Sequence, residues 1–552
     1  MTMWEDPDFR KTLPALAAVL ILASVLRLPG IESIPRWDWD EGYNRNYASH
    51  LSEGRMRWFS INYAFVPHPP LYLLALACVE TAFGTSIVPA RLFSVALSIV
   101  TLLLVYSVSS MLRGRWFALV ASFLYAIYPA QIYWGRTALG NNMLGLMCMV
   151  SLYCFMRYLK EGGVWWLPSC AFAVACALTE YAGFCLVFSL GLYFLVWDRG
   201  RLRQAFLYMA APLTAYAALL LAVRGDFVVE ELLFQLNRFD FLGLKALKYA
   251  VAAAVGVALL HKVYGAREGL RGFLAKESEI VFGGRGFIFE ALLPGIFLVM
   301  NVAGMMTLAL PFSDGSIFKG ADYYWAGFAG ILAVGPPVLV HFIPLFAAAI
   351  FILRVDHMLV QLHPFMCVGA AALLFQSHKI IAGFAGSRRG VSFVSAILLG
   401  APFAAVLIYD FEAFAFGSGF IMHEDVSSAY EAVGYVNSVA GGDRLVIATS
   451  NVAPLLHADT TVMTQVLAYD GFGIEYYRAN LSKGWFARNI SVDNADYILE
   501  EGEPLKWLEG KGRKDVADRL RMWPQVFQSG SYVVLRNPRL GTLTIRPSSG
   551  GG

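Results

Sequence analysis

The sequence predicts a mostly α-helical protein with many transmembrane helices, followed by a small α/β domain at the C-terminus. Of its 552 residues, 58% are hydrophobic and only 15% are charged, whereas soluble domains carry about 25% charged residues. Runs of about twenty residues with almost no charge recur along the chain, which is the length that a bilayer core requires. After about residue 420 the composition becomes more polar. These observations predict about 11 to 13 membrane spans and exclude a soluble fold.

The predicted transmembrane domain covers residues 1–415. Basic residues cluster between several apolar runs and mark cytoplasmic loops, which predicts a cytoplasmic N-terminus and an extracytoplasmic C-terminal domain. Because the first apolar run lacks a small-residue cleavage site, it is predicted to be a retained anchor. The segment 325–353 contains three prolines and is either one crossing or two short, broken ones. With one crossing there, twelve spans would return the C-terminus to the cytoplasm, whereas the charge of the loops favours the outside. The spans are predicted at 12–29, 89–112, 116–134, 140–159, 164–181, 183–198, 204–223, 245–264, 288–310, 325–353, 358–376 and 391–411.

Two further regions complete the predicted domain organisation. Residues 30–88 form the first extracytoplasmic loop, in which the short apolar stretch 68–83 is predicted to be a helix lying in the outer interface. Residues 420–540 form a soluble extracytoplasmic α/β domain, and residues 541–552 form a flexible tail. In the α/β domain, the apolar patterns predict strands at 444–449, 496–499 and 531–535, and helices at 427–439 and 514–522. Polar clusters at 456–461 and 469–473 are interpreted as turns, or alternatively as contacts for an acceptor glycan.

The net charge argues against a nucleic-acid partner, and the positions of the cysteines argue against a disulfide framework. The net charge is +3, and this near balance argues against a nucleic-acid partner. All seven cysteines lie in apolar segments, and the C-terminal domain contains none. We therefore expect the cysteines to pack in the core rather than to form a disulfide framework.

An acidic cluster stands just beyond the first predicted span. Asp38, Asp40 and Glu41 place three carboxylates within four residues, next to Trp37 and Trp39. Desolvating a carboxylate among aromatic side chains is costly. General-base catalysis would explain the acidic cluster, since a carboxylate in a dry site can remove a proton from an acceptor hydroxyl. The alternative is an interfacial loop with membrane-anchoring tryptophans and acids that face water.

Asp38 and Asp40 also form a D-x-D pair. Carboxylate oxygens at this spacing suit Mg²⁺ or Mn²⁺, so the pair is a candidate metal site. No other cofactor is indicated by the sequence.

Four motifs follow one another through the first 140 residues, and their order is informative. They are the Asp40-Glu41 pair, the Pro-His-Pro-Pro-Leu-Tyr run at 67–72, the Ala-Arg-Leu-Phe-Ser run at 90–94, and Arg136 at the outer end of the third predicted span. In this order they resemble the C-type (GT-C) membrane glycosyltransferases. More narrowly, they are similar to the group of protein O-mannosyltransferases and aminoarabinose transferases. The similarity covers about the first 200 residues and continues weakly from residue 354 to residue 364.

The resemblance implies a GT-C fold and transfer of a sugar on the extracytoplasmic side. The donor would be a polyprenyl- or dolichyl-phosphate sugar in the membrane, and the acceptor a hydroxyl of a lipid, glycan or protein. Asp40 matches the catalytic aspartate of the family, which acts as general base with inversion at the anomeric carbon, and Glu41 matches the neighbouring acid that shapes the site. The residues implied to bind the lipid phosphate or the donor are His68, Arg91, Arg136, Arg354 and His357.

Each implied phosphate ligand has an ordinary structural alternative. Arg91 and Arg136 fit snorkelling residues at the interface, His68 fits a helix cap, and Arg354 and His357 fit the ends of spans. The sequence also departs from the family pattern. Asn141 and Asn142 follow Arg136 where many relatives carry an acidic residue, and the C-terminal domain is not a β-trefoil, which weakens the case for a protein acceptor.

Two other classes of function compete with the enzyme. A multi-pass transporter or lipid flippase would place ionisable residues near the bilayer midplane, often within inverted repeats. Here the acidic cluster lies at the outer boundary and no repeat is visible. A membrane-anchored binding protein would leave the long membrane part without a role.

Overall fold

In a computed structural model, the chain divides into two compact units. The first unit contains Met1–Arg36, Pro67–Leu76 and Val88–His423, and the second contains Trp37–Val66, Ala77–Ile87 and Glu424–Gly552. The structure describes residues 7–54, 69–238, 330–331, 334, 336–347, 356–385, 407–408, 410–416, 423–474, 477–486, 488–502 and 504–540.

Helices dominate the first unit, and the second is mixed. In the part of the chain that the structure describes, the α-helices are α1 (Pro7–Arg27), α2 (Trp39–Ser52), α3 (Pro70–Phe83), α4 (Ile87–Arg113), α5 (Arg115–Ala126), α6 (Pro129–Gly135), α7 (Gly140–Glu161), α8 (Trp166–Thr179), α9 (Gly183–Trp197), α10 (Arg199–Arg238), α11 (Pro336–Ala347), α12 (His363–Ala385), α13 (Val426–Val439), α14 (Met463–Tyr469), α15 (Pro504–Gly510) and α16 (Lys514–Arg521). The boundary between the units at residue 76 falls inside α3.

Within the described residues, four helical stretches are long and apolar enough to cross a membrane. They are α4, α7, Arg199–Val223 of α10, and Leu359–His378, which ends in α12. Helices α5 and α6 make a fifth candidate, bent by 63° at their junction. The bend follows from Pro129, because a residue before proline avoids the helical region, and Tyr128 is indeed extended with ψ 112°. The chain is therefore a multi-pass membrane protein.

In the described part of the first unit, most of the predicted spans coincide with helices, of which the five candidates above are long and apolar enough to cross a membrane. The predicted span at 12–29 is α1, and those at 164–181 and 183–198 are the shorter apolar helices α8 and α9. Helix α7 packs on α8, α8 on α9, and α5 on both α1 and α12. The predicted spans at 245–264 and 288–310 lie outside the described residues, and those at 325–353 and 391–411 are described only in part.

The second unit is built on a five-stranded sheet. Its strands are β1 (Leu445–Ala448), β2 (Asp459–Thr461), β3 (Tyr497–Glu501), β4 (Gln525–Ser529) and β5 (Tyr532–Arg536), in the order β2-β1-β3-β5-β4. Strand β1 is parallel to both β2 and β3, whereas β5 is antiparallel to β3 and β4. Helix α13 packs on β4 and β5, and α2 contacts the 3₁₀ turn that follows β1. The predicted fold class, helical with a small C-terminal α/β region, is confirmed.

The predicted division of the chain and the observed units group the first loop differently. The sequence assigned residues 30–88 to the membrane domain, whereas the second unit joins residues 37–66 and 77–87 to residues 424–552. Helix α2 is thus one compact body with the sheet. The cluster at 456–461 is not simply a turn, because residues 459–461 form β2.

Candidate functional site

The acidic cluster forms the N-terminus of α2. Asp38 is the N-cap residue, and its carboxylate accepts hydrogen bonds from the backbone N–H groups of Asp40, at 2.9 Å, and Glu41. In return, the Glu41 carboxylate accepts from the backbone N–H of Asp38 at 3.4 Å. This is a capping box, in which two acidic side chains satisfy backbone donors that a helix start leaves open. Two of the three carboxylates therefore hold the turn together.

The third carboxylate is presented to solvent. Asp40 is exposed, whereas Glu41 is fully buried and Asp38 is half-buried. Burial raises the pKa of Asp38 to about 6, and the charges of Asp40 and Glu41 add to the rise. Asp40 lies in the first helical turn, where the helix dipole favours a negative charge. The turn thus presents one carboxylate, Asp40, on a backbone that the other two fix.

The two described arginines among the predicted phosphate ligands are buried in the first unit. Arg136, just after α6, donates from Nε to Ile34 O at 2.9 Å and from Nη1 to Leu26 O and Phe414 O at 3.3 and 3.2 Å. Its Nη2 also donates to Pro29 O. Both arginines are fully buried, and these bonds give Arg136 a structural role in fixing the chain after α1.

Arg91 of α4 holds the same stretch of chain. Its Nη1 donates to Ile31 O and Pro35 O, each at 2.9 Å. Because Arg91 and Arg136 both bind carbonyl groups between residues 26 and 35, they fix the segment that leads to the acidic turn. A phosphate-binding role for either arginine stays a prediction.

A buried polar chain in the first unit was missed by the sequence analysis. Arg27 donates to Ser98 Oγ at 3.2 Å, Gln131 donates to the same hydroxyl at 3.3 Å, and His363 Nδ1 lies 2.9 Å from Gln131 Oε1. Asp410 is also buried and interacts electrostatically with Arg27. A basic residue at the end of the first apolar run and a histidine inside a predicted span were the available signals.

The structure describes little of the remaining predicted site residues. His68 and Arg354 lie outside the described residues, and His357 is described only as backbone in the 3₁₀ segment Asp356–Leu362. Asn142 has a structural reason to be an amide, because its Nδ2 donates to Trp134 O and Thr137 O at 2.8 and 3.1 Å, closing the turn between α6 and α7.

The metal prediction for Asp38 and Asp40 is not resolved by the geometry. Among the residues that the structure describes, no group of three or more His, Cys, Asp or Glu side chains is arranged to hold a metal ion. The Asp38 carboxylate is already bound to backbone N–H groups. A Mg²⁺ or Mn²⁺ site there stays a prediction.

The fold of the chain is that of the C-type membrane glycosyltransferases. ArnT from Cupriavidus metallidurans in the apo state superimposes with a TM-score of 0.56 at 13% identity, over 96% of this chain and 98% of that one. The same protein bound to undecaprenyl phosphate gives 0.52 at 13% identity, over 95% and 98%. The oligosaccharyltransferase AglB from Archaeoglobus fulgidus, in complex with an inhibitory peptide and a dolichol-phosphate, gives 0.53 at 13% identity, over 97% and 75%.

The sequence comparisons agree with this class. Residues 67–223 match the family described as dolichyl-phosphate-mannose-protein mannosyltransferase, and no curated protein matches the chain. The resemblance predicted from the four motifs is therefore confirmed. The matched stretch contains Arg91 and Arg136, whereas the acidic turn precedes it.

Proposed function

We propose that this protein is an integral membrane glycosyltransferase that moves a sugar from a polyprenyl- or dolichyl-phosphate donor to an acceptor hydroxyl. The GT-C fold and the family match over residues 67–223 support the reaction class. The lipid phosphates bound by the similar ArnT and AglB structures support the class of donor. The observation that carries the proposal in this chain is the acidic turn, in which a capping box exposes Asp40.

The proposed chemistry is a single displacement. Asp40 takes the proton of the acceptor hydroxyl, and the oxygen attacks the anomeric carbon of the donor sugar. The bond between that carbon and the phosphate oxygen breaks on the opposite face, so lipid phosphate leaves with the bonding electrons and the anomeric centre inverts. The capping box serves this step because it fixes the backbone of the base before substrate binds.

A buried cationic group in the first unit supports a phosphate-bearing donor. The guanidinium groups of Arg27, Arg91 and Arg136 are all buried, and Arg136 interacts electrostatically with both of the others. The carboxylate of Asp410 interacts electrostatically with Arg27. Buried guanidinium groups are suited to stabilising the charge of an anionic lipid phosphate.

The proposal includes a sidedness for the reaction. The basic loops predict a cytoplasmic N-terminus, so the acidic turn after the first span lies outside the cytoplasm in this proposal. The C-terminal domain lies on the same side if the segment 325–353 makes two short crossings, which gives thirteen spans in total. Single cysteines are introduced at residue 443 or 511 in a variant whose seven native cysteines are replaced by alanine, and labelling with a membrane-impermeant maleimide tests the sidedness. Labelling of intact cells supports the proposed side, and labelling only after permeabilisation overturns it.

The experiment that tests the function uses purified full-length protein in nanodiscs. A panel of radiolabelled polyprenyl- and dolichyl-phosphate sugars is supplied with lipid, glycan and peptide acceptors, and release of lipid phosphate is measured. We expect wild-type protein to consume at least one donor and Asp40→Asn to lose about 10²- to 10⁴-fold in rate. Glu431→Gln is the matched control, because Glu431 is an exposed carboxylate in the same unit and its substitution likewise removes one negative charge.

Two results would count against the proposal. Full activity of Asp40→Asn would show that another group is the base. Failure of the wild-type protein to consume any donor with any acceptor would overturn the reaction class. A chelator added to the active assay tests the predicted metal, whose involvement requires that activity falls and returns with Mg²⁺ or Mn²⁺.

A further inference from the structure

The chain on the N-terminal side of the acidic turn is held by the C-terminal domain. The backbone N–H of Trp37 donates to Glu424 Oε2 at 3.1 Å, and the hydroxyl of Tyr532 on β5 donates to Glu424 Oε1 at 2.6 Å. The Trp37 ring meets Tyr430 of α13 edge-on, with ring centroids 6.0 Å apart. Glu424 is buried and ties the residue before the N-cap to the start of β5.

The first turn of α2 is held at a second point. Ser450, two residues after β1, donates from Oγ to the backbone carbonyl of Trp39 at 3.0 Å. Gly42 lies against the same loop so closely that a Cβ there would overlap the Ser450 carbonyl and come within 2.7 Å of Asn451 N. Glycine is thus required at residue 42 because of a close backbone approach. One residue further along, the hydroxyls of Tyr43 and Thr464 lie 2.8 Å apart.

These contacts lie beyond the carboxyl ends of the parallel strands, which is where α/β domains bind their ligands. Strand β1 lies between β2 and β3 and is parallel to both. After forming β2 on one side of β1, the chain crosses over to form β3 on the other side, which makes β1 a topological switch point. In open α/β sheets, ligands occupy the crevice outside the carboxyl ends of the strands at such a switch point. Residues 449–451 follow β1 there and are polar and buried. Their neighbour in this structure is the first turn of α2.

We propose that the C-terminal domain is the positioning element for the catalytic turn, with Glu424 and Ser450 as its positioning residues. The switch point of the sheet holds the protein's own acidic turn in the place where a free-standing domain would hold a ligand. This inference rests on the proposed role of Asp40 as base. It assigns the domain a part in catalysis rather than a separate role in binding an acceptor glycan.

The test compares variants that break each anchor in the full-length protein. Glu424→Ala removes both acceptors, and Ser450→Ala removes the hydroxyl bonded to Trp39 O. We expect the kcat of each to fall by about 10- to 100-fold, since small displacements of a catalytic group are costly. The KM for donor and acceptor is expected to stay within about twofold, because neither residue touches substrate.

Conservative and matched variants separate positioning from general damage. Glu424→Gln is expected to retain most of kcat, because its Oε1 can accept from Trp37 N–H while its amide donates to the Tyr532 hydroxyl. Glu431→Ala and Ser438→Ala are controls, since both residues are exposed on α13 and their hydrogen bonds are to Ser427, Ser529 and Tyr435 rather than to α2. Each is expected to keep wild-type kcat.

A second measurement does not depend on activity. Hydrogen–deuterium exchange of the peptide covering residues 37–45 is expected to be faster in Glu424→Ala and Ser450→Ala than in wild type, and unchanged in both controls. If the two anchor variants keep wild-type kcat while Asp40→Asn is inactive, positioning is overturned and the proposed function stands. If Asp40→Asn is active, the proposed function itself fails, whatever the anchor variants do.

Discussion

The Nε atom of Arg136 lies 2.9 Å from the carbonyl oxygen of Ile34, across more than a hundred residues of sequence. The same guanidinium reaches Leu26, Pro29 and Phe414, so one side chain binds four backbone carbonyl groups. Arginine suits this position because its planar fork carries five donors in fixed directions. A lysine would offer its donors from a single nitrogen.

Arg136→Lys is therefore expected to destabilise the protein although the charge is kept. Each buried carbonyl left without a donor costs about 1–3 kcal/mol, so we expect a clear fall in the unfolding temperature in detergent micelles. Arg157→Lys is the matched control, because Arg157 forms a partly exposed ion pair with Glu161 at 2.7 Å, a type of contact that contributes little. Equal unfolding temperatures of Arg136→Lys and wild type would contradict the structural role.

The example of Arg136 shows what the sequence could and could not predict at the site. Its motif marked the residue, but its partners are backbone carbonyls, which have no side-chain signature and are brought together only by tertiary packing. The capping box was readable as Asp38-x-x-Glu41. The three neighbouring carboxylates were interpreted as a catalytic or metal site. The sequence did not reveal that Asp38 and Glu41 stabilise the helix start that carries Asp40.

The strands of the sheet likewise divide into those that the sequence predicted and those that it did not. Strands β1, β3 and β5 were predicted because their apolar runs fill the core of the domain. Strand β2 was missed because it has only three residues, Asp459–Thr461, and β4 because its Gln-Val-Phe-Gln-Ser sequence belongs to a half-exposed edge strand. The association of α2 with this sheet joins residues about 400 positions apart, and no local pattern encodes such a contact.

Asp38 provides a test of the cap and its charge together. Asp38→Ala removes the cap and is expected to cost about 1 kcal/mol of stability, whereas Asp38→Asn keeps the cap and loses only the charge. Burial and the neighbouring acids raise the pKa of Asp38 from 3.8 to about 6 in the folded protein. Ionising a carboxyl whose folded pKa is raised costs stability, so this contribution weakens the protein as pH rises from about 4 to about 6.

Thermal unfolding of the two Asp38 variants across this pH range checks both parts. Asp38→Asn is expected to match wild type below about pH 4 and to be more stable above about pH 6. Asp38→Ala is expected to be less stable than Asp38→Asn at every pH. A wild-type protein that gains stability relative to Asp38→Asn as pH rises would contradict the direction of the pKa change.

Helix packing in the first unit gives a prediction with a control in the same helix. Gly183 begins α9, and a Cβ there would overlap the backbone of Cys176 and Ala177 in α8. Gly191 lies two turns further along α9, where a Cβ would only meet the end of Met209 at 4.0 Å. We expect Gly183→Ala to lower the unfolding temperature and the yield of folded protein. Gly191→Ala is expected to be neutral or stabilising, since alanine favours helices by up to about 1 kcal/mol. Similar behaviour of the two variants would show that α8 and α9 do not meet at Gly183.

Glu500 makes the stability of the C-terminal domain depend on pH. It lies buried in β3 opposite Val533 of β5, and burial, followed by the charge of Glu501, raises its pKa from 4.5 to about 8. Because the folded pKa lies above the ordinary value, stability falls as pH rises through this window and the penalty is complete above about pH 8. Glu500→Gln cannot ionise and should escape it. We expect the variant to unfold at a higher temperature than wild type at pH 9, with the difference shrinking as pH falls towards 5.

The control for this prediction is Glu431→Gln, an exposed change in the same domain, which should show no such trend. A constant difference between Glu500→Gln and wild type across this range would place the origin of the effect outside the ionisation of Glu500.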